Sequence, residues 1–277
     1  MHPDIFIHPF FVMGLALALI VTGAFAGTMA GMFGIGGGII IVPILSSIFQ
    51  LLHVPTVDVM HVAVATSLAT IAPTSLAALR AHAAHGAIDR NILRVWGPMI
   101  VAGSLAGGIL AGYINGRVIS LLFGCLVLFV AYRFWPRAAH DNPVGHMPRP
   151  WVQRLIAGVI GGASALLGLG GGIIGVPVLH RCGFTLRRAI GTASSFGFMV
   201  AIPGVAIYLL SPAPVAIPYG TVGLVHPMAV ALLLPGAMIC APIGARLAHR
   251  LPLARLQTGF ALVLLLLGCK MVMAALF

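Results

Sequence analysis

Between Asp4 and Asp58 this chain of 277 residues carries no Asp, Glu, Lys or Arg, and uncharged apolar runs of the same kind recur to its end. Several are about 20 residues long, the length a helix needs to cross roughly 30 Å of hydrocarbon. The runs are continuous rather than alternating, which argues against the strands of a membrane barrel. Only 7% of the residues are charged and 60% are hydrophobic, where a soluble domain has about 25% charged residues. A water-facing surface cannot be built from so little charge. The expected fold class is an all-α polytopic membrane protein whose solvent is the lipid bilayer.

The net charge of +11 does not imply nucleic acid. The Arg residues cluster at the ends of apolar segments, as a positive-inside signal does, and form no single basic face. The acids are more telling. The chain has no Glu, and Asp4, Asp58, Asp89 and Asp141 all fall at segment ends or in loops. A carboxylate pair, an acidic proton relay or an acidic cation filter has no residues to use inside the membrane. A lumen lined by Arg, Ser, Thr and backbone N–H suits an anion better than a cation. Cys125, Cys182, Cys240 and Cys269 have no CxxC spacing and read as small apolar residues. The first apolar run is long and follows an acid, unlike a cleavable signal peptide.

The breaks divide the chain into segments at about 9–33, 39–52, 59–80, 92–114, 117–134, 151–168, 173–181, 187–210, 224–248 and 255–275. Two of them, 39–52 and 173–181, are too short to span unaided. The polar stretch 136–150 reads as a cytoplasmic linker between an N-terminal repeat (1–135) and a C-terminal repeat (151–277). Gly34-Ile35-Gly36-Gly37-Gly38-Ile39-Ile40-Ile41-Val42-Pro43 matches Gly168-Leu169-Gly170-Gly171-Gly172-Ile173-Ile174-Gly175-Val176-Pro177, which points to an internal duplication. Arg80, Arg90 and Arg94, the linker, Arg181, Arg187 and Arg188, and Arg246, Arg250 and Arg255 mark cytoplasmic loops. The loops 53–58 and 211–223, which have no Lys or Arg, and the short loop near Arg117 are then outside. On this assignment each half is a Gly-broken hairpin followed by three spans, and the halves are inverted about the membrane plane.

Glycines break a helix within the membrane, where freed N–H groups must find partners. A half-helix starting near Ile39 or Ile173 points its partial positive charge at the break, an anion site without a charged side chain. The substrate-binding candidates are therefore Gly34, Gly36, Gly37, Gly38, Gly168, Gly170, Gly171 and Gly172. Close helix packing is the competing explanation for such glycines. Thr66, Ser67, Thr192, Ser194 and Ser195 are second candidates, against a bond to the carbonyl one turn back in their own helix. Pro73 and Pro203 further on free carbonyls or kink these helices. His61 and His226, near the starts of spans, are candidates for proton coupling, with sodium the other coupling ion to consider; interfacial histidines are the plainer reading. His82 and His85 lack a third ligand, so no metal site is expected, and no cofactor motif is present. Arg246 either snorkels or reaches the anion path. Trp96, Trp135 and Trp151 are placed at interfaces as anchors.

The doubled Gly-Ile-Gly-Gly-Gly…Val-Pro and Gly-Leu-Gly-Gly-Gly…Val-Pro elements, each leading to a Thr-Ser-like element, resemble the TauE/SafE family of sulfite and sulfonate transporters over about residues 10–275. The resemblance implies carriage of a small sulfur-containing anion, such as sulfite, sulfoacetate or another organosulfonate, across the bacterial cytoplasmic membrane. It places the family's motif on Gly34 to Gly38 and Gly168 to Gly172, with Thr66-Ser67 and Thr192 through Ser195. Ala193 alters the second element and leaves open whether Ser194 or Ser195 supplies the hydroxyl. The expected mechanism is alternating access without nucleotide hydrolysis, one repeat bundle rocking against the other. An anion channel is the first alternative. An intramembrane enzyme is the second, disfavoured because the chain has neither Gly-x-Ser-x-Gly nor His-Glu-x-x-His.

Overall fold

The computed structural model describes residues 9–84, 86–134, 145–213, 220–250 and 253–276. Trp135, Asp4, Asp141, His85 and most of the linker lie outside them. The regular elements among the described residues are helices: α1 (Pro9–Phe33), α2 (Gly38–Leu51), α3 (Thr56–Ala84), α4 (Arg90–Ala111), α5 (Gly116–Phe134), α6 (Pro150–Leu167), α7 (Gly172–Arg181), α8 (Leu186–Leu210), α9 (Pro227–Arg250) and α10 (Leu253–Leu276). A lone bridge joins Val222 and Val225. Six helices, α1, α3, α4, α6, α8 and α9, are long and apolar enough to cross a membrane. At 14 and 10 residues, α2 and α7 are not.

Helix starts differ from the sequence expectation where a cap decides them. Helix α4 begins at Arg90 rather than 92 because Asp89 Oδ1 accepts from the N–H groups of Asn91 (2.9 Å) and Ile92 (3.1 Å), satisfying two of the four orphan donors of a helix N-terminus. Helix α9 begins at Pro227 rather than 224. Proline suits a first helical position, and the residues before it turn back through the Val222–Val225 bridge.

Lipid tails give apolar helices no hydrophobic reason to associate, so close backbone approach has to hold them together. The main helix pairs are α1 with α9, α4 with α6, and α5 with α10, with α3 against α8 at the centre; α2 lies on α3 and α7 on α8. Most of these pairs join one half of the chain to the other. Along α1, a Cβ added at Gly23, Gly27 or Gly31 would stand 2.1, 2.3 or 1.9 Å from the carbonyl oxygen of Leu233, Ala237 or Ala241 on α9. In return Gly244 receives the Thr28 carbonyl, 2.0 Å from where its Cβ would be. Helices α4 and α6 meet the same way, Gly103 on the Gly158 carbonyl (2.1 Å), Gly107 on that of Gly162 (2.2 Å) and Gly161 on that of Ile100 (2.1 Å).

One anchor is misplaced by the sequence reading. Trp96 is fully buried. Its indole N–H donates to Gln153 Oε1 at 3.2 Å, and its ring stacks on Phe196 with centroids 5.9 Å apart. A tryptophan whose N–H finds a partner inside has no need of an interface. Trp151, 63% exposed at the start of α6, keeps an anchor's position.

The glycine ladder sets a matched test within α1. Gly27→Ala drives a methyl into the backbone of α9 and is expected to cost about 1–3 kcal/mol. Gly14→Ala, with nothing within 4 Å of the new Cβ, is expected to be neutral or slightly stabilising. Thermal unfolding of the purified variants in detergent separates the two.

Candidate functional site

Helix α1 ends at Phe33 and α2 starts at Gly38; α6 ends at Leu167 and α7 starts at Gly172. Both chain breaks are real and both are buried. The residues preceding α2 and α7, Gly37 and Gly171, have φ of 74° and 68°, the left-handed region that glycine enters without a Cβ clash. Neither helix start has a side-chain cap. The N–H groups of Gly38 and Ile39 on α2, and of Ile173 and Ile174 on α7, find no acceptor among the described residues. Two uncapped positive helix ends thus lie inside an apolar protein interior.

The two breaks meet. A Cβ on Gly36 would stand 2.6 Å from the Cα of Gly170, and one on Gly170 the same distance from the Cα of Gly36. On either side of this central contact the carbonyl of Gly168 fits against Gly38 (2.2 Å to an added Cβ) and that of Gly34 against Gly172 (1.7 Å). Ser67 Oγ donates to the Gly168 carbonyl at 3.0 Å. In this conformation no atom fits between Gly36 and Gly170. The unpaired N–H groups lie beside that contact, at the starts of α2 and α7.

The matched threonines hold helices across the halves. Thr66 Oγ1 accepts from the N–H of His226, and Thr192 Oγ1 accepts from the N–H of Asp89, both at 3.0 Å. His226 and Asp89 in turn cap the helices that follow them: His226 Nδ1 accepts from Ala229 N–H at 3.2 Å, as the Asp89 carboxylate does for α4. His61 is engaged elsewhere, its Nε2–H shared between the carbonyls of Ala111 (3.1 Å) and Ile114 (3.0 Å) at the end of α4. Ser194 Oγ donates back to Gly191 (2.7 Å), whereas the buried hydroxyls of Ser195 and Ser164 have no partner among the described residues. A buried hydroxyl left over in this way asks for a water or a ligand. His82 Nε2 donates to the Gly31 carbonyl at 3.1 Å, and Arg246 is exposed.

The structure therefore brings the two glycine motifs and Ser67 into one contact and sets Thr66 and Thr192 in equivalent cross-half bonds. His61 lies apart, at the end of α4. The sequence reading passed over Asp89 as a functional group, although an Asp directly before Arg-Asn-Ile is a legible helix start. Beyond the cap, Asp89 pairs with Arg188 at 2.8 Å; that guanidinium is 57% exposed, so the pair contributes little stability. The reading also passed over Lys270, whose amine meets Ser47 Oγ.

Six spanning helices, two buried half-helices and the interleaved halves define a multi-pass membrane protein. The model of the family described as Sulfite exporter TauE/SafE matches residues 19–271, and the chain belongs to that family. A "probable membrane transporter protein" of Haemophilus influenzae is 30% identical over 257 residues, covering 92% of this chain and 97% of that protein. The "probable membrane transporter protein YunE" of Bacillus subtilis is 26% identical over 281 residues, 94% of this chain and 98% of its own. A third, MJ0441 of Methanocaldococcus jannaschii, is 28% identical over 193 residues, 69% of this chain and 71% of its own. No solved structure matches the chain.

Replacing Thr66 by valine keeps shape but strands the buried N–H of His226, and replacing Thr192 strands the half-buried N–H of Asp89. Thr66→Val and Thr192→Val are each expected to destabilise by about 1–3 kcal/mol, and Thr→Ser at the same positions by much less. Unfolding midpoints of the four variants in detergent give the comparison.

Proposed function

We propose that this protein is a secondary transporter that moves a small sulfur-containing anion, sulfite or an organosulfonate, across the bacterial cytoplasmic membrane. The observation that carries this reading is the pair of uncapped half-helix starts, α2 and α7, buried side by side in a protein with no Glu. Their free N–H groups supply fixed positive potential where an oxyanion loses its water. The unpartnered Ser195 hydroxyl is the second-half donor in this reading, rather than Ser194, which donates to Gly191; Ser67 becomes a donor to the anion only when it releases the Gly168 carbonyl. The name of the family model supports the sulfur-oxyanion substrate class.

In this reading residues 1–135 and 151–277 are repeats inverted about the membrane plane. Reciprocal packing supports it: α1 lies on α9 as α6 lies on α4, and α3 on α9 as α8 on α4. The same packing changes the expected motion. Glycine ladders lock α9 to the first repeat and α4 to the second, and the Thr66 and Thr192 bonds reinforce the exchange. The bodies that rock are therefore mixed, α1–α3 with α9 against α6–α8 with α4. The seam between them runs through α3, α8 and the contact of Gly36 with Gly170. Opening that seam makes room for the anion. His226 is the first candidate for proton coupling because its Nδ1 accepts from Ala229 N–H and so caps α9. Sodium is the other candidate ion, and His61, bound to the end of α4, is the second imidazole available.

Purified protein in liposomes is expected to take up radiolabelled sulfite or sulfonate with saturation. The double variant Gly37→Leu, Gly171→Leu is expected to lose that flux while Gly14→Ala keeps it. Unsaturable current in planar bilayers would favour an anion channel, and equal flux in the double variant would remove the glycine breaks from the path.

A further inference from the structure

Lys270 is the only lysine in the chain and sits inside an apolar stretch, the residues around it from Val263 to Met273 being uncharged. Under the repeat proposed above, packing aligns α10 with α5. Gly124 of α5 faces Val272 and the Gly268 carbonyl on α10, and Gly268 faces Leu128 on α5. Gly124-Cys125-Leu126 therefore corresponds to Gly268-Cys269-Lys270, and the first half has Leu126 where the second has the lysine. A charged side chain within an apolar helix is costly and is a candidate functional group. Snorkelling is hindered by direction: side chains tilt toward a helix's N-terminus, and Lys270 lies near the C-terminal end of α10, so the tilt carries its amine inward.

The amine has a partner within the protein. It donates to Ser47 Oγ, and Ser47 donates to the Pro43 carbonyl at 2.6 Å, both on α2. Beside it Ser46 contacts Met271 Sδ at 3.6 Å, fixing α10 on α2 at this level. Ser47 stands nine residues after Gly38, about 13 Å along the helix at a rise of about 1.5 Å per residue. The cation is thus tied to the same half-helix whose N-terminus faces the break, at the end away from it. Lys270 itself is exposed beside Cys269 and Met273, so its remaining N–H donors face out of the protein.

We propose that Lys270 with Ser47 forms an oxyanion-recruiting subsite at the outer end of α2, which the transported anion meets before it reaches the glycine break. The proposal rests on the transport reading above. A phospholipid phosphate has the same chemistry; the substrate is favoured here because the amine is bound to α2, the element of the transport site. Leucine is what the equivalent position of the other repeat holds, so Lys270→Leu is expected to fold with an unchanged or higher melting temperature. Its KM for radiolabelled sulfite is expected to rise about three- to tenfold at nearly constant maximal rate, while Lys270→Arg stays within about twofold of wild type; these ranges are those of one charge acting at partly screened distance. The measurements use the full-length protein in liposomes of phosphatidylcholine alone and with added phosphatidylglycerol. The same KM rise in both lipids supports the subsite. An unchanged KM, a KM rise confined to the anionic liposomes, or a lowered melting temperature without a KM change overturns it, the second result assigning the lysine to a lipid headgroup and the third to a structural tether. If wild-type protein itself shows no saturable sulfite uptake, the transport reading falls and the subsite with it; if wild type saturates and Lys270→Leu does not differ, the subsite alone falls.

Discussion

Two glycine backbones touch where the halves of this protein meet, and much else follows from that contact. With Gly36 and Gly170 too close for a single Cβ between them, α2 and α7 must start side by side. Their positive ends are then neighbours in a medium of low dielectric, where the repulsion of like ends is felt strongly. Such an arrangement is stable only if the surrounding helices are held firmly. The ladders of α1 on α9 and α4 on α6 supply that clamp. On the transport reading proposed above, an anion among the free N–H groups offsets that repulsion.

The elements were legible in the sequence because their determinants are local. Apolar run length and the glycine breaks put α1 at 9–33 and separated the two short helices within a residue or so of Gly38–Leu51 and Gly172–Arg181. Partner choice was not legible. A membrane helix is apolar all round, so no polar stripe says which face meets which neighbour, and Gly23, Gly27 and Gly31 announce close packing without naming α9. The candidate site was half legible. The glycine motifs were found through their repetition, but the bonds of Thr66 and Thr192 join residues 160 and 103 positions away, and nothing local to a threonine encodes that. Trp96 shows the same limit: its position near a segment end suggested an interface, and its partner Gln153, 57 positions on, decided otherwise.

The two halves solve one problem with different chemistry. Each places a residue whose N–H reaches the other half's threonine and whose side chain caps the next helix. The first half uses the carboxylate of Asp89, beside an exposed arginine; the second uses the imidazole of His226, buried against Phe49 at 5.5 Å. The two cross-half contacts thus share a geometry but differ in acid–base character.

The interleaving also governs how the chain is made. Helix α1 is made well before α9, yet the backbone groove that receives its glycines belongs to α9. Until then the ladder faces lipid, where glycine gives little contact and no gain from water exclusion. Helix α4 waits a shorter time, for α6. Neither glycine ladder can close within one half, so the α1–α9 and α4–α6 contacts both wait for helices of the second half, while α2 on α3 and α7 on α8 can pack earlier.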